Sequence, residues 1–157
     1  MKVLIITGSV GTGKSTLAKK ITDKSKFKHI NLNNVIKSMN LFESYDKKRN
    51  CVLVDVKKLN KFLIKLIKSS KENLIIDSHL SHYLPSKYVD LCIVTKCNLK
   101  ILEKRLKKRK YSKDKIRENL DCEIFDVCLN EAKENKHKIL VVDTTKDLNL
   151  RKIRKLL

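Results

Sequence analysis

One proline and three glycines serve all 157 residues. So few turn-formers leave no room for a flexible linker, and a single domain over residues 1–157, large enough for a real core, is expected. No apolar stretch approaches the ~20 residues that span a bilayer, and no internal repeat is present. The five cysteines (51, 92, 97, 122 and 128) form no C-x-x-C pair, and no histidine cluster completes a zinc set. Cys92 sits in a strand pattern and Cys128 on a helix face, so both read as small core or boundary residues in a reducing compartment. The N-terminus carries one lysine and a four-residue apolar run, a strand rather than a signal peptide. A cytoplasmic address follows, or a nuclear one in a eukaryote, with no membrane partner.

Acidic residues are also scarce, 17 against 37 Lys and Arg, for a formal net charge of +20. That excess fits an anionic partner such as RNA or a ribosomal particle. It equally fits a lysine-rich proteome. Only six residues are arginine (49, 105, 109, 117, 151, 154), and the lysines are spread along the whole chain.

Against these absences stands one dense motif. Residues 8–16 read GSVGTGKST, where Gly8, Gly13, Lys14 and Ser15 complete G-x-x-x-x-G-K-[ST] and Gly11 adds a glycine inside it. Val3-Leu4-Ile5-Ile6 before it suits a buried strand, and Leu17, Ala18 and Ile21 after it share one helical face. Phosphate oxygens must approach several backbone N–H groups at once, and side chains at the glycine positions would block them. The helix starting near Lys14 points its free N–H groups and positive dipole end at the phosphates. Lys14 can reach the β- and γ-phosphates of ATP, and the Ser15 hydroxyl can ligate Mg²⁺. Gly11, Gly13, Lys14, Ser15 and Thr16 form the nucleotide-binding set.

Further on, Lys28-His29-Ile30 reads as a short strand, 33–40 as a short helix and 43–51 as a polar loop. Leu59, Phe62, Leu63, Leu66 and Ile67 follow the spacing of a buried helix face. Leu74-Ile75-Ile76 ends in Asp77, and Val89 to Val94 is another strand. Helices are predicted over 98–109, 113–135 and 147–157, with a last strand from Ile139 to Val142. Strands alternating with helices give a five-stranded parallel sheet covered on both faces, joined by right-handed crossovers, an α/β P-loop NTPase fold of the doubly wound, kinase-like kind.

Asp77 ends an apolar strand, where P-loop enzymes carry the acid that supports Mg²⁺, directly or through water. As a bare residue it also suits a turn cap. His79, two residues on, can orient a water or touch a transferring phosphate, or be a plain loop histidine. An H-x-x-H metal pair with His82 is weaker, since a loop fixes no ligand geometry. Arg105 and Arg109 stand i, i+4 at the end of a basic run, before Tyr111-Ser112. An arginine there can close over nucleotide phosphates, its planar fork gripping two oxygens.

Taken together these segments resemble the adenylate kinase isoenzyme 6 family, also called coilin-interacting nuclear ATPase, and its archaeal relatives. The resemblance runs nearly end to end. It covers the GSVGTGKST loop, Tyr45-Asp46, Asp77-Ser78-His79, Arg105-Leu106 with Arg109-Lys110-Tyr111, Lys115 to Asn119 and Glu123 to Val127. It implies phosphoryl transfer between ATP and AMP, a side ATPase activity, and a role in small ribosomal subunit maturation through transient contact with ribosomal protein uS11 and the subunit precursor. It also implies a monophosphate-binding region near residues 31–54, with Lys37 as a substrate contact, and a short lid near 108–118. Arg109 becomes the lid arginine on ATP, and His79 a support for hydrolysis. Three departures stand out. Lys47-Lys48-Arg49 stand where the family's nuclear members carry acidic residues after the Tyr-Asp pair. Lys37 stands where the family has arginine, keeping charge but losing the bidentate fork. Lys110 replaces the glycine of an R-G-Y stretch, which stiffens the lid.

Overall fold

Val3–Thr7, strand β1, is buried at every position, as a strand sandwiched between two helix layers must be. The computed structural model describes residues 1–47, 51–146, 150 and 153. After β1 come α1 (Lys14–Thr22), β2 (Phe27–Asn31), α2 (Leu32–Ser38), β3 (Phe42–Asp46), β4 (Cys51–Val54) and α3 (Val56–Ser69). β5 (Asn73–Asp77), β6 (Leu91–Lys96), α4 (Leu99–Lys108), α5 (Lys113–Ile124), α6 (Val127–Glu134) and β7 (Ile139–Asp143) follow. Five strands form one parallel sheet in the order β2-β5-β1-β6-β7. The P-loop NTPase fold read from the sequence is the fold observed.

The strand period of two divides the core. Val3, Ile5, Leu74, Ile76 and Val94 pack with Leu59, Leu63 and Ile67 of α3. Leu4, Ile6, Ile75 and Ile93 pack with Leu17, Ala18 and Ile21 of α1. Asp77 follows Ile75 by two, so it shares the α1 face of the sheet. A third cluster, Cys97, Leu102, Leu106 and Ile116, ties α4 to α5. Each such Val, Leu or Ile side chain contributes roughly 1.5–3 kcal/mol on burial. Helix starts are capped from the sequence: Asn31, Asp55, Asn98 and Ser112 accept backbone N–H groups of α2, α3, α4 and α5.

Several expectations need correction. Residues 43–51 are not a loop: β3 and β4 pair as an antiparallel hairpin, with Phe42 opposite Val54 and Tyr45 opposite Val52. Here cross-strand pairing supplies the order, since Phe42 through Tyr45 are exposed and carry no burial pattern. Residues 113–135 are not one helix. The chain breaks after Ile124, and Asp126 takes φ 52° before α6 starts. Lys96 enforces the break, donating to the Glu123 carbonyl at 2.9 Å and pairing with the Asp126 carboxylate at 2.5 Å. β6 begins at Leu91 rather than Val89, because the Val89 N–H closes a turn onto Ser86 O at 3.0 Å. The helix predicted over 147–157 lies outside the described residues except Leu150 and Ile153, the latter buried in the α1-face core. Lys48 and Arg49 also lie outside them.

Candidate active site

Gly11 and Gly13 hold φ of 92° and 86°, conformations that side-chain-bearing residues rarely adopt. A Cβ on Gly11 would sit 2.9 Å from Leu102 Cδ1, and one on Gly8 2.6 Å from the Thr95 carbonyl. The loop is braced from behind by hydroxyls that nothing in the motif announces. Thr12 Oγ1 donates to Ser9 O at 2.8 Å and pairs with Thr95 Oγ1 at 2.7 Å, while Thr144 Oγ1 donates to Thr12 O at 2.5 Å.

Lys14 curls into the loop, donating from Nζ to Gly8 O at 2.8 Å and Ser9 O at 2.9 Å. The residue as a whole is half-buried, but its ammonium end is enclosed by the loop. That enclosure pushes its pKa down to about 8, against the opposing pull of neighbours that include Asp77. It therefore carries its charge at pH 7.

Asp77, 2 % exposed, meets α1 from the end of β5. Its Oδ2 accepts from Ser15 Oγ at 2.5 Å, and its Oδ1 pairs with His29 Nε2 at 2.7 Å. Asn31 Nδ2 leans in at 3.5 Å. His29 and Asn31 were not foreseen. The signal for them lies in strand order: β2 runs beside β5 with Asn31 opposite Asp77, so its C-terminal end reaches the same crevice. Among the described residues no three His, Cys, Asp or Glu gather as a metal set. One carboxylate and one hydroxyl suit Mg²⁺, which usually keeps waters and takes its remaining ligands from phosphates.

The two histidines of the H-x-x-H pair part company. His79 is exposed as a residue, and desolvation of its ring, then the Lys14 charge, then His82, push its pKa down to about 4, so it is neutral at physiological pH. His82 is buried in the opposite face. Its Nδ1 lies 2.7 Å from Thr7 Oγ1 and its Nε2 2.8 Å from Glu131 Oε2. An ionised carboxylate only accepts, which assigns the proton to Nε2 and makes Thr7 the donor to Nδ1 in the neutral ring. Tyr83 Oη donates to the other Glu131 oxygen at 2.8 Å, and its phenol is pushed up to about 12, by burial first and then by that carboxylate.

A cavity of about 490 Å³ opens beside the loop, with Gly11, Gly13 and Thr16 on one side and Arg105, Arg109 and Thr144 on the other. Arg105 is anchored, donating to Thr144 O at 2.8 Å and Cys97 Sγ at 3.3 Å. Arg109 is exposed at the C-cap of α4, next to Lys110 with φ 57°. Lys107 pairs instead with Glu103 at 2.6 Å on the outer helix face. Lys37 is exposed in the last turn of α2, outside the Lys14–Asp77 cluster.

Glu123 is the residue that helical periodicity misses most. It is 5 % exposed, although it is charged. Its Oε2 accepts from Ser9 Oγ at 2.7 Å, and its Oε1 from the Cys97 N–H at 2.9 Å with Lys96 Nζ at 3.1 Å. A buried carboxylate this well satisfied joins the C-terminal end of α5 to the phosphate loop.

Residues 4–126 match the family described as an AAA domain. The chain is 37 % identical over 142 residues to a Methanocaldococcus jannaschii protein named "Putative adenylate kinase", covering 90 % of this chain and 76 % of that one. It is 35 % identical over 141 residues to the adenylate kinase isoenzyme 6 homolog of Dictyostelium discoideum, covering 89 % and 79 %. With the Caenorhabditis elegans homolog of that isoenzyme it shares 35 % identity over 132 residues, 84 % and 72 % of the two chains.

Proposed function

The chain belongs to the adenylate kinase isoenzyme 6 family, and from that premise we propose that it transfers the γ-phosphoryl group of ATP to AMP. It is a P-loop phosphotransferase with nucleotide substrates. The single observation that supports the finer reading is the hydrogen bond of Ser15 to Asp77, with Lys14 within reach of the Asp77 charge, on the loop and helix whose Gly11, Gly13 and Thr16 line the 490 Å³ cavity that Arg109 borders.

The glycine loop and the start of α1 hold the donor phosphates through backbone N–H groups. Lys14 exchanges its two carbonyl partners for β- and γ-phosphate oxygens and neutralises charge that grows during transfer. Ser15 and Asp77 would hold Mg²⁺, which would supply further charge neutralisation during transfer. Arg109 swings in from the end of α4 and excludes water. AMP enters from the α2 and β3–β4 side, residues 31–54, where Lys37 offers one charge to its phosphate. His79, neutral, accepts a proton from a water that takes the place of AMP, which yields a side ATPase activity.

A second reading has the net charge of +20 in its favour. On it, ATP hydrolysis at the same site drives a cytoplasmic assembly step on the small ribosomal subunit precursor, through uS11 or RNA. Product analysis with ATP and Mg²⁺, with and without AMP, separates the two. ADP formed from AMP in stoichiometry with ATP loss supports the kinase. Inorganic phosphate formed at the same rate with or without AMP would favour the assembly ATPase. His79→Ala should cut phosphate release while leaving ATP affinity within a few-fold by calorimetry.

A further inference from the structure

We propose that His29 is a positioning residue for phosphoryl transfer, holding the Asp77 carboxylate so that Oδ2 faces Ser15 and the metal that accompanies the donor phosphates. The proposal rests on the reading of Ser15 and Asp77 as the Mg²⁺ support. His29 stands alone in a short strand, outside the glycine loop and the Asp77-Ser78-His79 stretch. Sheet geometry brings it to the site. β2 is an edge strand, paired in parallel with β5 so that His29 lies opposite Ile75 and Asn31 opposite Asp77. Side chains alternate along a strand. Phe27 therefore packs on the α1 face and Ile30 on the α3 face, and His29 and Asn31 share the α1 face with Ile75 and Asp77. The imidazole reaches one pair further along, to the carboxylate.

Asp77 is a buried acid, so both of its oxygens need partners. Oδ2 receives Ser15 Oγ from the first turn of α1. Oδ1 receives His29 Nε2 at 2.7 Å, and among the described residues no other donor reaches that oxygen. An ionised carboxylate only accepts, so Nε2 carries the proton. It does so in one neutral tautomer and in the imidazolium alike, and the contact serves in either state. Asn31 Nδ2 stays at 3.5 Å from Oδ2 and 3.4 Å from Ser15 Oγ, while its own Oδ1 caps α2. Contacts that long hold the plane of a carboxylate weakly. The short, charge-assisted bond that holds it on the side away from Ser15 is the one from His29.

Without that donor Oδ1 is buried and unpaired. The carboxylate then turns to share Ser15 and Asn31 between its two oxygens, and the oxygen preset for the metal is lost. Losing the partner that orients a metal-supporting group typically costs about 10–100-fold in metal affinity or activity. The loss falls on the metal rather than on the nucleotide. The loop N–H groups and Lys14 would still hold the phosphates, and His29 hydrogen-bonds to none of them.

The test compares two substitutions of equal reach, His29→Gln, which keeps an N–H donor, and His29→Met, which has none. Mn²⁺ is the probe, its free EPR signal followed as it is titrated into the purified chain with ADP. His29→Met should weaken Mn²⁺ binding about tenfold and His29→Gln no more than about threefold. ADP affinity without metal, by calorimetry, should stay within about twofold of the parent for both. With ATP and AMP, the Met variant should need about tenfold more Mg²⁺ for half-maximal rate. Lys28→Ala, the neighbour whose ammonium pairs with Glu72 at the surface, should change none of these. Equal Mn²⁺ affinity in the Gln and Met variants overturns the proposal, as does a lowered Tm in the Met variant with parental Mn²⁺ affinity. Asp77→Asn tests the premise separately. Parental Mn²⁺ affinity in that variant overturns Asp77 as the metal support and the proposal with it. Weakened affinity there, beside parental affinity in His29→Met, overturns the role of His29 alone.

Discussion

Ser15 Oγ donates to Asp77 Oδ2 across 2.5 Å, so the first turn of α1 and the last residue of β5 meet at one point. The two lie 62 positions apart in sequence, and only the parallel pairing of β1 with β5 brings them together.

That contact gives Asp77 a role that a turn cap would not have. Asp77→Asn keeps the shape and removes the charge. Turnover should fall on the order of 10²-fold or more, the scale of losing a group that stabilises the transition state. The variant should also need more Mg²⁺ for half-maximal rate. Steady-state kinetics across a Mg²⁺ series measures both, and parental values would return Asp77 to a capping role.

Lys14 should set an upper pH limit on activity. Its pKa of about 8 means the free enzyme loses this charge as pH rises through that value. The dependence of kcat/KM on pH, which reports the free enzyme, should therefore bend downward above about pH 8. The bend in kcat should come at higher pH, because bound phosphate oxygens stabilise the ammonium. Initial rates from pH 6 to 10 check this. Lys14→Ala should lose on the order of 10²-fold or more in turnover while keeping the parental circular dichroism spectrum.

Arg109 and Lys107 stand two residues apart with opposite orientations. Arg109 borders the cavity, while Lys107 is tied to Glu103. Arg109→Ala should lower kcat by roughly tenfold or more and weaken ATP binding less, as befits a contact made on closure. Lys107→Ala should do little. Equal small effects on turnover would make the whole basic run an ordinary solvated helix face.

His82 ties acid stability to the wall behind the loop. Burial holds its pKa below the ordinary value of 6.5, against the raising pull of Glu131 and with help from the charges of His137 and Lys14; Thr7 caps the other nitrogen. The unfolded chain therefore binds a proton first. Stability from this group is complete above about pH 6.5 and falls as pH drops below it. Urea titrations at pH 7.5 and 5.5 should show that loss. His82→Gln, which can still reach both partners, should flatten it.

Much of this was legible in the chain. The glycine run fixed the loop, and the Leu59, Leu63, Ile67 spacing fixed α3, because each carries a period that burial imposes. Asp77 could be read because it closes an apolar strand. The hairpin of β3 and β4 could not, since its exposed residues owe their order to partners across the pair. The break at Asp126 was hidden because Lys96, thirty positions earlier, imposes it. His29 was hidden because a lone histidine in a weak strand says nothing until that strand is known to border β5.

Glu123 makes the segment proposed as a lid and the phosphate loop parts of one mechanical unit. Its carboxylate grips Ser9 and Lys96 and the Cys97 N–H, while its helix begins just past Arg109. A longer lid grafted from another kinase between Arg109 and Ser112 would therefore be tolerated only if it returned α5 at the same angle. A graft that rotated the helix by a single residue would turn a charged side chain out of its three contacts and leave Ser9 loose, so the loop would fail at a distance from the splice.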